Sequence, residues 1–482
     1  MRWKFTLQVV GIVICFVGMA MLIPLGGSLY FQDMMVKPFL ESSSLTLSCG
    51  LVIFFFFRAA RVETITHREG IAVVTLGWAS AGFFGSLPFF LSGYVPLFTD
   101  CVFETFSGFT TTGASVLNNV EILPKSLLLW RSLTHWLGGM GIILLSLAIL
   151  PFLGVGGMQL YKAEVPGPTP DKLRPRVKDT ALLLWKVYLL FTGLEILCLL
   201  LGGMDFFHAL CHTFGTMATG GFSTHNASIG HYSSLYIDVV VTVFMFIAGT
   251  NFALHFRFLR GDPGSFWRDP EFRFYLGTVG LVTLVITLSV WGNVYNSLGQ
   301  SFRYSVFQVV SIVTTTGYGT ADYALWGALA QVLLVLCMFW GGCAGSTGGG
   351  IKMMRIMILA KQVKREIVRA IHPNAVVPVK FGGRVVPEVV LNGIGGFFLL
   401  YCGLSALAAI ILAALQVDIL TSLAAVIACM SNIGPGLGNV GPTENYAQIP
   451  LFGKWVLSFC MLLGRLELYT VIILFTPEFW KK

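Results

Sequence analysis

The chain has 482 residues, of which 55% are hydrophobic and only 11% charged; soluble domains carry about 25% charged residues, so an ordinary soluble globular protein is excluded. The formal charge of +8 would suit a nucleic-acid partner, but the basic residues fall in alternate loops, and no polynucleotide surface is expected. The ten cysteines lie mostly in apolar segments with no CxxC pair, which reads as buried small hydrophobes without a disulfide framework or zinc site.

In chain order, Arg2 and Lys4 precede an apolar stretch over 5–30. It is longer than a signal-peptide core and no small-residue cleavage site follows it, so it is read as a retained helix. A second helix over 39–57 returns the chain to Arg58, and residues 1–69 form a two-helix hairpin. Apolar stretches long enough to span continue to Phe475 with no long polar domain between them. The basic residues Arg58, Arg61 and Arg68, then Lys162, Lys172, Arg174, Arg176 and Lys178, then Arg257, Arg260, Arg268 and Arg273, fall on one side. Lys352, Arg355, Lys361, Lys364, Arg365, Arg369, Lys380, Arg384, Lys481 and Lys482 join them, which with Arg2 and Lys4 makes 24 of the 31. The positive-inside rule places these loops and both termini in the cytoplasm.

From residue 70 the chain repeats itself in four units, 70–160, 161–262, 263–372 and 373–482. Each has an apolar helix, a shorter segment (101–110, 206–217, 302–314 and 420–431), a glycine stretch and a second apolar helix. The stretches read TTGAS from Thr111, ATGGF from Ala218, TTGYG from Thr315 and NIGPG from Asn432; their aligned glycines, Gly113, Gly220, Gly317 and Gly434, stand 107, 97 and 117 residues apart. Such a period is a repeat signature. The short segments cannot cross a bilayer, and irregular backbone at membrane depth is tolerated only when it is buried in protein or lines water. Ten crossings and four re-entrant half-helices around a pore follow.

A dehydrated cation needs oxygens in place of its water shell, which backbone carbonyls supply without fixed charge. Glycine permits the backbone that turns them inward, and threonine adds a hydroxyl. The negative ends of the preceding helices favour a cation as well. TTGYG over 315–319 comes close to the TVGYG of potassium-channel filters.

The chain thereby resembles the membrane subunits of the Trk/Ktr/HKT superfamily, from the opening hairpin to the C-terminus, including the SNIGPG at 431–436. The resemblance implies an all-α integral membrane protein of two N-terminal helices and four helix, pore-helix, filter, helix repeats around a pseudo-fourfold pore. It makes Gly113, Gly220, Gly317 and Gly434 the filter glycines, with Thr111, Thr112, Thr219, Thr315, Thr316, Asn432 and Ile433 completing the potassium sites. The fourth unit has Asn432 and Ile433 where others have Thr, so a hydroxyl from that quarter is in question. The resemblance also implies a homodimer in the bacterial cytoplasmic membrane and a peripheral, TrkA-like nucleotide-binding regulatory ring. The basic stretch 352–384 offers a docking surface. No cofactor and no nucleotide site are expected in the chain itself.

Below the third filter, helical character runs from Leu325 to Ile371. At about 1.5 Å per residue an unbroken helix would be about 70 Å long, more than twice the hydrocarbon thickness. The break is expected at Gly341, Gly342, Gly345, Ser346, Thr347, Gly348, Gly349 and Gly350, a loop lying across the lower pore as a gate. It is no phosphate cradle, because Gly350 is followed by Ile351-Lys352-Met353 where a P-loop needs Gly-Lys-Ser/Thr. Arg465 is expected well inside the last helix, where a charge is costly and functional by default. It is read as an electrostatic barrier facing the cavity, with a buried ion pair to an acid such as Glu195 as the alternative.

Asp100, Glu104, Asp205 and Asp418 are placed at the outer starts of the pore helices, as dipole partners or cation attractors. His208 and His212 have metal-compatible spacing but no third ligand. A proton- or sodium-coupled symporter is the runner-up and would need Glu195 or Glu467 in the pathway; an intramembrane enzyme lacks a base and nucleophile in register.

Overall fold

The computed structural model describes residues 1–58, 66–141 and 177–481. Arg61, Lys162, Lys172, Arg174, Arg176, Lys482, the side chain of Lys178 and the boundary between the first two units lie outside them.

The described chain is helical apart from a two-stranded antiparallel hairpin, Lys380–Phe381 with Arg384–Val385, that pairs Lys380 with Val385 and Phe381 with Arg384. At the N-terminus, Trp3–Phe31 forms one apolar span and Val36–Phe56 a second. A Cβ at Gly50 would fall 2.6 Å from Cys15 Sγ and 2.9 Å from the Gly11 carbonyl. The two helices therefore touch backbone to backbone, as small residues allow in lipid, where apolar surface alone does not draw helices together. The hairpin is tied to the first unit by Arg2, whose Nε donates to Glu69 Oε1 at 2.7 Å. Glu69 also closes a capping box with Thr66 at the start of His67–Gly85.

Each unit opens on a full span: Arg68–Ser92, Ala181–Leu201, Pro270–Val290 and Glu388–Ala414. Leucine and phenylalanine on these helices and on the hairpin, among them Leu51, Phe56, Leu197, Leu281 and Leu399, stay exposed. That is the pattern of a surface solvated by acyl chains, while the continuous apolar core lies inside, around the short helices.

Among the described residues six helices have the length and apolarity to cross a membrane, or eight if two bent pairs are each one span, which is fewer than the ten crossings expected. The difference lies in the second helices, of which the first unit's falls partly outside the described residues, past Gly141. Leu235–Ala248 meets Phe252–Leu259 at 101°, and Leu451–Arg465 meets Tyr469–Phe475 at 113°. The third unit stops at Ala328–Met338 and resumes at Met353–Ile371. Hydropathy marks only the last of these breaks, through its glycines. The second is made by Asn251, which caps a new helix by accepting from Ala253 N at 2.8 Å. In the fourth, Glu467 and Leu468 take φ of 58° and 42°. Arg465 is thus the last residue of its helix rather than a mid-helix charge.

Candidate functional site

The four short segments are helices Phe98–Phe109, Phe206–Met217, Leu298–Val313 and Ile419–Met430. All four end the same way. Two residues beyond each helix a non-glycine residue turns left-handed: Thr111 at φ 55°, Thr219 at 54°, Thr315 at 61° and Asn432 at 56°. The next amide bonds back five residues, Thr112 to Ser107, Gly220 to Gly215, Thr316 to Ser311 and Ile433 to Ala428, at 2.8–2.9 Å. One more residue on, glycine has positive φ: Gly113 81°, Gly221 79°, Gly317 79° and Gly434 95°.

These equivalences move the second unit by one residue. Gly221 stands where Gly113, Gly317 and Gly434 stand; Gly220, aligned with them from sequence, occupies the place of Thr112, Thr316 and Ile433. A Gly-Gly pair offers no residue by which sequence alone could choose. The structure also gives Gly220 its own reason: a Cβ there would lie 2.3 Å from His135 Nδ1. His135 fills that space, held between the Gly108 carbonyl at 2.9 Å and Phe222 N at 3.3 Å.

The stretches close into a ring. A Cβ on Gly113 would strike the Gly220 carbonyl oxygen at 2.1 Å, and one on Gly221 that of Thr316 at 2.0 Å. Gly317 meets Ile433 O at 1.9 Å, and Gly434 meets Thr112 O at 2.7 Å, which returns the circuit to the first unit. Each glycine therefore rests on the equivalent carbonyl of the next unit, and none could carry a side chain without displacing backbone. Side chains reinforce the ring: Thr110 and Thr112 hydroxyls lie 2.8 Å apart, as do those of Thr314 and Thr316. Asn432, in place of threonine, donates to Thr112 Oγ1 and to the Met461 carbonyl, each at 2.9 Å.

The glycine loop lies against the inner end of this ring. Gly349 N donates to Thr315 Oγ1 at 2.7 Å, and a Cβ on Gly349 would sit 2.4 Å from the Ser431 carbonyl. Gly341 N to Ile351 O and Ile351 N to Phe339 O close the base of the loop at 2.8 and 3.1 Å. Thr347 Oγ1 bonds the carbonyls of Met217 and Ala248. Lys352, buried, donates to the Gly348 carbonyl. Glu271, which sequence reading did not single out, accepts from Ala344 N and Met354 N at 2.8 Å each, so one carboxylate oxygen ties the first half of the loop to the start of Met353–Ile371. A cavity of about 100 Å³ beneath it is bounded by Trp78, Gly139, Gly349, Lys352 and Arg465 among others.

Arg465 reaches across that cavity. It donates to Thr347 O at 2.8 Å, and to Gly138 O and Gly139 O at 2.6 and 3.0 Å, joining the loop to the end of Lys125–Gly139. Glu467, also on the cavity wall, pairs with Arg355, and Glu195 is buried on Val177–Leu201.

At the outer mouth, Asp205 and Asp418 cap their helices through Phe207 N and Thr421 N at 3.0 and 2.9 Å. Thr421, through side chain and backbone, holds the Asp418 carboxyl below the usual carboxylate range. Asp100 pairs with Lys454 at 2.7 Å. Glu104 does not sit at a helix start or at the mouth: it is buried mid-helix, 2.6 Å from Arg131, and accepts from Ser115 Oγ and Val116 N. Arg131, a further residue the sequence did not mark, donates to Ser223 O at 2.9 Å and stacks over Phe222. His208 and His212 both turn to the Thr224 hydroxyl, at 2.8 and 3.3 Å. Gly113, Gly221, Gly317 and Gly434 open together into one outer vestibule with His225 and Asn226 on its wall.

Comparison with known proteins agrees with this architecture. A family described as TrkH, cation transport protein, matches residues 39–482. Among curated relatives, the Trk system potassium uptake proteins TrkH of Escherichia coli K12 and of Halomonas elongata are 43% and 42% identical, each alignment covering all of both chains. TrkG of Escherichia coli K12 is 36% identical over 98% of this chain and 97% of its own. The crystal structure of the potassium transporter TrkH from Vibrio parahaemolyticus superposes with a TM-score of 0.90 at 39% identity, over the whole of both chains. With the match to the family model and full-length relatives of this similarity, the chain belongs to the TrkH family of cation transport proteins.

Proposed function

We propose that this chain is the membrane subunit of a potassium uptake system and conducts potassium through the ring formed by its four glycine stretches. The observation that carries the reading is the closed circuit in which Gly113, Gly221, Gly317 and Gly434 abut the carbonyls of Gly220, Thr316, Ile433 and Thr112. Equivalent backbone oxygens in a ring replace an ion's hydration shell without burying a fixed charge. The four helix C-termini behind them supply further negative potential. Thr111, Thr219, Thr315 and Asn432 stand at the inner end and Thr112 and Thr316 within it, so only the fourth quarter lacks a hydroxyl. The names of the full-length relatives as potassium uptake proteins support potassium as the substrate. Conduction is channel-like, down a gradient to which the inside-negative potential contributes about 2.3 kcal/mol per charge per 100 mV.

The glycine loop and Arg465 form the gate beneath the ring: the loop occludes the pathway and the guanidinium adds a positive barrier. A cytosolic, TrkA-like nucleotide-binding subunit opens it from the basic surface of Met353–Ile371 and the following hairpin. The membrane subunit acts as a homodimer in the bacterial cytoplasmic membrane, with both termini cytoplasmic by the positive-inside rule.

Purified protein in liposomes tests the reading directly. Rubidium uptake that exceeds sodium uptake and reverses at the potassium equilibrium potential, whatever the pH, supports the channel. Uptake that requires a proton or sodium gradient assigns the chain to the coupled symporters.

A further inference from the structure

His225, on the wall of the outer vestibule, belongs to a group of side chains that the proposed ion pathway does not use. Glu121 follows the first glycine stretch, and His225 and His231 follow the second. Among the described residues they form one group of three metal-ligating side chains whose donor atoms all lie within 4.8 Å of one another. Glu121 Oε1 is 3.4 Å from His225 Nδ1, close to the spacing of about 3.3 Å between two ligands of a tetrahedral ion bonded at about 2.0–2.1 Å. The His225 and His231 rings stack with centroids 3.6 Å apart and planes 4° from parallel. Stacked rings cannot aim their in-plane lone pairs at one point, so one must rotate to complete the set. His231 is exposed and meets the rings of His225 and Tyr232, whereas His225 is half-buried and stacked on His208 as well, so His231 is the ring with room to turn.

The backbone beneath the group is fixed. Asn226 accepts from Val120 N at 2.9 Å, donates to Asn119 Oδ1 at 2.8 Å, and its amide donates to Glu121 at 3.2 Å. The turn Ser228–Tyr232, which bears His231, is bonded on both sides to the end of the third stretch. Gly230 N donates to Gly319 O at 3.0 Å, and Gly319 N to Ser228 Oγ at 3.2 Å. Two imidazoles and a carboxylate are the donor set of a borderline divalent ion such as Zn²⁺, not of potassium. The geometry points to an external transition-metal site formed by Glu121, His225 and His231, at which a divalent ion clamps the mouth loops of the first two units and, through Gly319, slows ion passage. His208 and His212, the pair with metal-like spacing in the sequence, are not part of it.

The test is calorimetric titration of Zn²⁺ into the purified full-length protein, paired with rubidium uptake into liposomes with and without Zn²⁺. Losing even an outer-shell partner weakens metal sites by about 10–100-fold, so Glu121→Gln and His231→Asn are each expected to lower zinc affinity by about 100-fold or more. His231→Cys, which restores a ligand, recovers it. Zinc should inhibit uptake by the unmodified chain and not by His231→Asn, whose uptake without metal stays normal because its side chain is exposed. Zinc affinity unchanged in His231→Asn, or lost there and not recovered in His231→Cys, overturns the site. Zinc bound at these residues without effect on uptake overturns the clamp. The uptake arm rests on the proposed transport function, whereas the binding arm does not, so failure of transport without metal is separable from failure of the site.

Discussion

At Arg465 a charge that would be costly in hydrocarbon is satisfied by three carbonyls from two segments, Thr347 of the glycine loop and Gly138 and Gly139 of the first unit. Hydrogen bonds to charged groups contribute about 1.5–3 kcal/mol each, so the guanidinium fastens the loop, and under the proposed function it also sets a positive barrier in the pathway. Arg465→Ala removes both effects and is expected to raise rubidium flux several-fold in liposomes; flux that stays level or falls in a normally folded variant contradicts the role. The ring glycines are constrained in the opposite sense. Gly317→Ala puts a methyl 1.9 Å from the Ile433 carbonyl, and the backbone shift this forces should abolish selective uptake while the protein still inserts, as potassium and sodium uptake side by side would reveal.

At the scale of the element, the glycine loop is held as much by its neighbours as by its own sequence. Glu271, at the start of Pro270–Val290, accepts both Ala344 N and Met354 N. Leaving a buried N–H unsatisfied costs about 1–3 kcal/mol, so Glu271→Ala should loosen the loop and raise basal flux, with faster amide exchange at Ala344 and Met354. Exchange unchanged at both amides would show that the carboxylate does not hold the loop. The one-residue shift in the second glycine stretch is testable in the same way. Gly220→Ala collides with a side chain, His135, and should be rescued in part by His135→Ala; Gly221→Ala collides with the Thr316 backbone and should not. Equal rescue of both would contradict the register. Much at this scale was legible: the four short helices, their glycines and the break near 341–350 follow from composition and period. The bends after Ala248 and Arg465 were not, because a hydropathy profile is blind to an Asn251 cap or to two left-handed residues at Glu467 and Leu468. Nor were Arg131, Glu271 and His135, whose importance lies in partners distant in sequence.

Over the described residues, two N-terminal helices and four units are arranged so that exposed apolar side chains cluster on the long spans, while the short helices, the glycine loop and the helices that bear His135 and Arg465 meet around the ring. The circular order of contacts, first unit to second, third, fourth and back, makes the ring a joint product of all four quarters. The family resemblance visible in the glycine stretches holds along the entire chain, and the comparisons bear out the fold at full length. The measurement that bears most directly on the central claim is rubidium against sodium uptake by the purified protein in liposomes, at a set membrane potential. The account predicts uptake that favours rubidium, follows the potassium equilibrium potential and disappears in Gly317→Ala; equal passage of sodium and rubidium through the unmodified chain, or selective uptake that survives that substitution, would contradict it.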